Sequence, residues 1–355
     1  MVIIRKKHIF VFCIALTSIV TLALLWFFKT EKNGGGSASL TDVLTDSISQ
    51  IVSTCPGEVG VALIVNSVDT VTVNNKSVYP MMSVFKLHQA LAICNRFDQD
   101  GLSLDTLLNI QREELDSKTW SPMMKEHLEP TITLPVSELL RYALIQSDNN
   151  ASNIMFRQLV NVDETDRFIA TLIPRSSFRI AYTESEMAAD HAKAYSNCTS
   201  PLGASILMDR LFTDSLVSYE KQGFIMKSLG ECTTGKDRIA APLLGKEGVA
   251  IAHKTGSGYT DNGILAAHND VAHINFAQRH SLHAGYFCQG LQGQRITSCA
   301  GFGAHISDSV CIIGTSIETF LIFVGAFLMR AHRRGGVSKV TDTPPLGRST
   351  VISEL

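Results

Sequence analysis

The sequence predicts an α/β plus all-α fold, an antiparallel sheet flanked by helices with a helical domain inserted into it. Three observations carry this. β-rich runs occur early, at Val59 to Val65 and Thr70 to Val73, and again late, at Val249 to His253 and Gly263 to Ala267. The chain between them, from Ser83 to about Lys221, is mainly helical in pattern. Motifs that carry chemistry, Ser83-Val84-Phe85-Lys86, Ser147-Asp148-Asn149 and Lys254-Thr255-Gly256, fall in both kinds of region, which argues for one composite unit with its site between the parts.

In chain order, Arg5-Lys6-Lys7 precedes an apolar run from Ile9 to Phe28, so residues 1–30 read as a signal peptide or an uncleaved membrane anchor. Residues 31–40, with Gly34-Gly35-Gly36-Ser37, read as a flexible linker. Leu44, Ile48, Ile51 and Val52 recur at helical spacing until Cys55-Pro56-Gly57 breaks the pattern. The two early strands are joined by Asn66-Ser67-Val68-Asp69, a hairpin signal. The sheet domain is assigned to residues 41–80 and 220–310, the all-α domain to 81–219, and an atypical extension to 311–355. In that extension Phe320 to Met329 is apolar, but Glu318 argues against a clean membrane span.

The motifs belong together chemically. A serine hydroxyl is a poor nucleophile unless a base within hydrogen-bond reach removes its proton during attack. If Ser83 opens a helix, the three-residue offset puts Lys86 one turn on along the same face, and the helix N-terminus offers N–H groups to an oxyanion. Ser147 suits proton relay to a leaving group, Asn149 suits orientation of substrate and Lys86, and Asp148 then points into the protein. Lys254 and Thr255 suit a carboxylate, Gly256 admits a close backbone approach, and the Ser257 N–H suits a second oxyanion donor. Each motif alone has a plainer reading, as a helix cap, an Asx-turn or a solvated strand-end charge. The ordered trio points to serine acyl transfer.

With these residues the chain resembles the class A serine β-lactamases, from about Leu40 to Ala272, and most closely their CfxA-type extended-spectrum branch. The resemblance implies a five-stranded sheet, a small-molecule β-lactam substrate, no cofactor and no metal. It also implies that Trp120, before Ser121-Pro122, flanks the substrate entrance, and that a glutamate on an Ω-loop activates the deacylating water. In Ala181 to Met187 that base aligns with Glu184, with Glu186 as the alternative. The family's usual loop asparagine corresponds to Ala188, and Asn262 falls near the place of a carboxylate-binding arginine, so Lys254, Thr255 and Ser257 are expected to hold the carboxylate unaided. Penicillin-binding DD-peptidases share the trio and form the rival reading; a non-catalytic or misfolded product of a damaged gene is the other.

A net charge of −2, with signs interspersed and no basic stripe, excludes a nucleic-acid binder. Of the eight cysteines, Cys55, Cys94, Cys198 and Cys232 lack metal-ligand spacing and read first as buried thiols, with a disulfide of unassigned pairing permitted by an oxidising compartment. An exported, periplasmic and membrane-tethered or free monomer is expected.

After Ala272 the family pattern stops. His280 to Gly293 alternates poorly and carries several glycines, so the expected inner strand reads as absent. Back-translating Phe287 to Gln294 and reading one nucleotide later gives FVKDFKG, a family-like strand. The expectation is two compensating indels bracketing about Asn275 to Gly303, with a lost strand and a low yield of active protein.

Overall fold

The computed structural model describes residues 39–75, 78–276 and 280–292. Helix α1 (Leu40–Ser53) starts at a capping box in which Ser39 and Asp42 satisfy each other's backbone N–H groups, and it buries Leu44, Ile48, Ile51 and Val52 against the sheet. Strands β1 (Glu58–Val65) and β2 (Asp69–Val73) form a hairpin, its turn supplied by Asn66 and Ser67 at φ 51° and 57°. Then follow β3 (Tyr79–Pro80), α2 (Phe85–Gln99), β4 (Leu107–Gln111), α3 (Pro122–Glu126), β5 (Thr131–Pro135), α4 (Val136–Ile145), α5 (Asn149–Gln158) and α6 (Val162–Ile169). The chain continues through β6 (Phe178–Arg179), α7 (Glu184–Ala189), β7 (Cys198–Thr199), α8 (Pro201–Thr213) and α9 (Tyr219–Gly230). It ends its described course in β8 (Val249–Ser257), β9 (Thr260–Asp261), β10 (Ile264–Leu265), β11 (His268–Phe276), β12 (His280–Gln289) and β13 (Leu291–Gln292).

The main sheet has five antiparallel strands in the order β2-β1-β12-β11-β8. One apolar core lies between the sheet and α1, and a larger one joins the other sheet face to the helices around α2. Burial on both sides explains why β1 is buried at every position after Glu58. The fold class is the expected α/β sheet with an inserted helical region.

The lost-strand expectation is corrected. His280–Gln289 occupies the middle of the sheet, paired with β1 from Leu282 to Gln289 and with β11 from His280 to Tyr286. A strand covered on both faces needs no alternation of polar and apolar residues, and from Leu282 to Cys288 every position is buried. Gly285 is an asset here: a Cβ would collide with the Pro201 carbonyl and Ser205 hydroxyl of α8, so glycine lets that helix lie on the sheet.

Three smaller corrections concern boundaries. The strand expected at Gly263 to Ala267 is only the two-residue β10, and the long strand starts at His268. The strand from Val249 runs on through the Lys254-Thr255-Gly256 motif and ends at Ser257. The helical insert also holds the β4–β5 hairpin and short β6–β7 pairing. Among the described residues no helix is long and apolar enough to cross a membrane; the runs at Ile9 to Phe28 and Phe320 to Met329 lie outside them.

Candidate active site

The nucleophile candidate sits on a tight turn rather than at the first residue of the α-helix. Ser83 lies within the 3-10 turn Met82–Val84, which leads straight into α2. Met82 takes φ 47°, a strained conformation for a side chain of its size. Asn269 of β11 holds the turn by donating to the Pro80 and Met81 carbonyls at 2.7 and 3.2 Å. Gly256 packs against the same turn, where a Cβ would strike the Met81 carbonyl.

Two groups meet the Ser83 hydroxyl. Lys86 Nζ donates to Ser83 Oγ at 2.9 Å, and Ser83 Oγ donates to Glu184 Oε1 at 3.0 Å. The same Oε1 lies 2.8 Å from Lys86 Nζ. Lys86 is buried, and its remaining acceptors are the Ser147 carbonyl at 2.9 Å and Asn149 Oδ1 at 2.6 Å. These bonds hold the Lys86 nitrogen in one place beside the hydroxyl. Glu184 reaches the site as the first residue of α7, capped by Thr183. Glu186 does something else: it accepts from the Thr183 N–H and Oγ1 at 2.9 Å each, and it lines a cavity of about 430 Å³ with Arg157 and Asp163. Geometry separates the two carboxylates, and only Glu184 touches Ser83.

The second wall follows from one buried carboxylate. Asp148 accepts from Ala151 N, Met123 N and the Ser121 hydroxyl, so it caps α5 and ties α3 to it. Burial pushes its carboxyl up, and those donors oppose the shift. With Asp148 fixed, the chain turns sharply at Ser147, φ 60°. Asn149 Nδ2 donates to Thr119 Oγ1 at 2.8 Å, its backbone N–H donates to the Trp120 carbonyl, and the exposed Trp120 indole donates to the Gln146 carbonyl at 2.9 Å.

On the third wall, Lys254 Nζ donates to Ser147 Oγ and to the Thr255 carbonyl, both at 3.0 Å. Lys254 is fully buried; burial, with Lys86 close by, pushes its pKa down to about 7. Thr255 Oγ1 lies 2.6 Å from Thr234 Oγ1, and Ser257 is exposed at the strand end.

Arg238 was missed in the sequence. It is buried beside the third wall, donating to the Gly256 carbonyl at 3.0 Å, the Asn269 carbonyl at 2.5 Å and Ser257 Oγ at 2.5 Å. Asn262, by contrast, is an exposed turn residue at φ 48°. Arg238 stands in the connection before β8 at no fixed offset from Lys254 that a motif rule reads; its only signal is a basic residue after Thr233-Thr234-Gly235.

The arrangement suits attack by a hydroxyl on an acyl carbon, with two candidate bases on the nucleophile, a hydroxyl-ammonium pair opposite and cations for an anionic substrate. Among the described residues no group of three His, Cys, Asp or Glu side chains could hold a metal ion, and the five cysteines there are free thiols.

Comparison with known proteins agrees with this chemistry. A sequence model described as the β-lactamase enzyme family matches residues 43–308. A β-lactamase of Phocaeicola vulgatus is 61% identical over 318 residues, covering 89% of this chain and 99% of that relative. The crystal structure of TLA-3 extended-spectrum β-lactamase superposes with a TM-score of 0.72 at 28% identity, covering 80% of this chain and 99% of its own. A class A β-lactamase structure from Bacteroides cellulosilyticus gives 0.71 at 25% identity, covering 80% and 97%. The chain belongs to the β-lactamase enzyme family, as a class A serine β-lactamase.

Proposed function

We propose that this enzyme opens β-lactams through an acyl-enzyme on Ser83, with deacylation driven by Glu184, and that it belongs to the CfxA-type, cephalosporin-directed branch. The observation that carries the mechanism is the pair of contacts on Ser83 Oγ, from Lys86 at 2.9 Å and to Glu184 at 3.0 Å. Ser83 Oγ bonds to the lactam carbonyl carbon while its proton passes to Lys86 in its neutral form or to the Glu184 carboxylate; both are in reach, and the family's acylation base is disputed. The carbonyl oxygen takes the negative charge, facing the Ser83 and Ser257 N–H groups. The C–N bond then breaks, and Ser147 passes a proton to the nitrogen, replaced from Lys254 or Lys86; the proton that left Ser83 makes good that loss, passing through Lys86 where Glu184 took it, so Glu184 is again a carboxylate. Glu184 next takes a proton from water, whose oxygen adds to the ester carbon, and gives that proton to Ser83 Oγ as it departs, which restores the enzyme. Because the hydroxyl proton of Ser83 occupies Oε1 in the free enzyme, the hydrolytic water takes that place once the ester has formed.

Lys254, Thr255 and Ser257 bind the substrate carboxylate, and Arg238 adds the cation that Asn262 does not supply. Trp120 and Asn149 border the acyl side chain. Preference for cephalosporins rests on the resemblance and on the extended-spectrum relative of like fold. Export rests on Arg5-Lys6-Lys7 and the apolar run behind it. Compensating indels near Asn275 to Gly303 are a proposal about the gene that resequencing decides.

Steady-state hydrolysis of nitrocefin, a cephalosporin and benzylpenicillin tests the reading. Sustained turnover with higher kcat/KM for the cephalosporin is expected, and Ser83→Ala abolishes it. A single burst followed by slow release would overturn it in favour of a DD-peptidase.

A further inference from the structure

Behind the third wall lies a second nucleophilic cluster that the hydrolytic mechanism does not use. His253, immediately before Lys254, is buried, and its Nδ1 lies 3.1 Å from both oxygens of the buried Asp270 on β11. Asp270 Oδ2 also accepts from the Ile239 N–H at 3.2 Å. The thiol of Cys232, partly exposed just after α9, bonds to the Thr234 hydroxyl and lies near enough to His253 for the imidazole to act on it. Thiol, imidazole and fixed carboxylate are the parts of an activated sulfur nucleophile.

We propose that Cys232, with His253 and Asp270, is an oxidant-reactive thiol site whose modification by a peroxide weakens substrate binding in the adjoining groove. The path to the groove is short. Cys232 Sγ lies 3.4 Å from Thr234 Oγ1, which lies 2.6 Å from Thr255 Oγ1 of the carboxylate-binding strand. In the reaction the sulfur lone pair forms an S–O bond, the peroxide O–O bond breaks, and the departing hydroxide takes a proton from His253 and leaves as water. Sulfur is oxidised by two electrons to a sulfenic acid and the peroxide is reduced. An oxygen added on the Thr234 side displaces that hydroxyl, and displacing Thr234 removes its hydrogen bond to Thr255.

Charge explains why this sulfur is singled out. Burial pushes the thiol up, but neighbouring His253, with Lys254 nearby and the Thr234 bond, outweighs it and brings Cys232 down to about 7. Burial likewise pushes His253 down, and Asp270 outweighs it, raising the imidazole to about 10. The other described thiols move the opposite way through burial: Cys55 to about 11, Cys94 and Cys288 to about 12, and Cys198 upward. The charged groups acting on Cys232 are His253 and Lys254, with Asp270 behind the imidazole.

The test is limiting hydrogen peroxide on the full chain and on Cys232→Ser, followed by trapping of sulfenic acid, peptide mapping and nitrocefin kinetics. Cys232 is expected to be oxidised first, with KM rising about tenfold, the size of one hydrogen bond to a charged group, kcat little changed, and Cys232→Ser unaffected. Limiting iodoacetamide should alkylate Cys232 first, at a rate that climbs through about pH 7. Oxidation of Cys55 or Cys198 ahead of Cys232, an unchanged KM after Cys232 is modified, or an equal KM rise in Cys232→Ser would each overturn the proposal. Mapping and alkylation read the site independently of β-lactam hydrolysis.

Discussion

The groove and the middle of the sheet both bury polar side chains, and they compensate that burial in opposite ways. In the groove, Lys86 contacts Glu184, Asn149 and the Ser147 carbonyl, and Lys254 contacts Ser147, so each buried amine has fixed partners. On β11 and β12, His273 Nδ1 and His283 Nε2 face each other at 2.8 Å, Phe212 stacks on His273 at 3.7 Å, and Asp209 lies 3.0 Å from His283. Burial pushes both imidazoles down to about 4, and for His273 the neighbouring His283 adds to it. The groove keeps charge where chemistry needs it, whereas the sheet keeps its polar pair neutral. Buried polarity therefore serves reaction in one place and packing in the other.

Breaking the sheet side should cost stability and spare the chemistry. Phe287 is fully buried in β12 and packs near Tyr79, so Phe287→Ala should cost about 3–5 kcal/mol in urea unfolding. The kcat per folded molecule should hold. Acid sharpens the contrast. Both histidines have folded pKa values near 4, below the unfolded value near 6.5, so the unfolded chain binds more protons between them. Stability is fully present above about pH 6.5 and is lost as pH falls toward 4, seen as a falling Tm; His88, also pushed down to about 4 by burial, adds to the trend. His283→Phe should flatten that slope.

The groove should respond to base instead. Lys254 near 7 loses its proton as pH rises through that value, so kcat/KM for carboxylate-bearing β-lactams should fall there, mainly through KM. The smallest effect is expected for Glu186→Gln, which disturbs only the Thr183 capping box: about 1 kcal/mol or less in stability, with turnover unchanged.

How much of this was legible in the chain divides along the same line. Ser83, Lys86, Ser147, Asn149, Lys254 and Glu184 could be picked out because acyl transfer restricts residue type and order, and the structure brings all six into one contact network. Arg238 could not, since its approach to Ser257 depends on how the connection before β8 folds back. The β12 strand was misread because composition rules assume a strand with one wet face, while this one is covered on both and uses Gly285 to seat α8. The end of β8 was misplaced for a related reason: Lys254 and Thr255 are polar yet fully buried, so hydropathy ends the strand too early.

The central claim is that Glu184 turns an acylating serine into a hydrolase in this chain. Intact-mass spectrometry of Glu184→Ala after mixing with a cephalosporin tests it most directly. A stable adduct that maps to the Ser83 peptide, with deacylation slowed by about 10²–10⁴-fold, is the predicted result. Release of product at the wild-type rate with no adduct accumulating would contradict it.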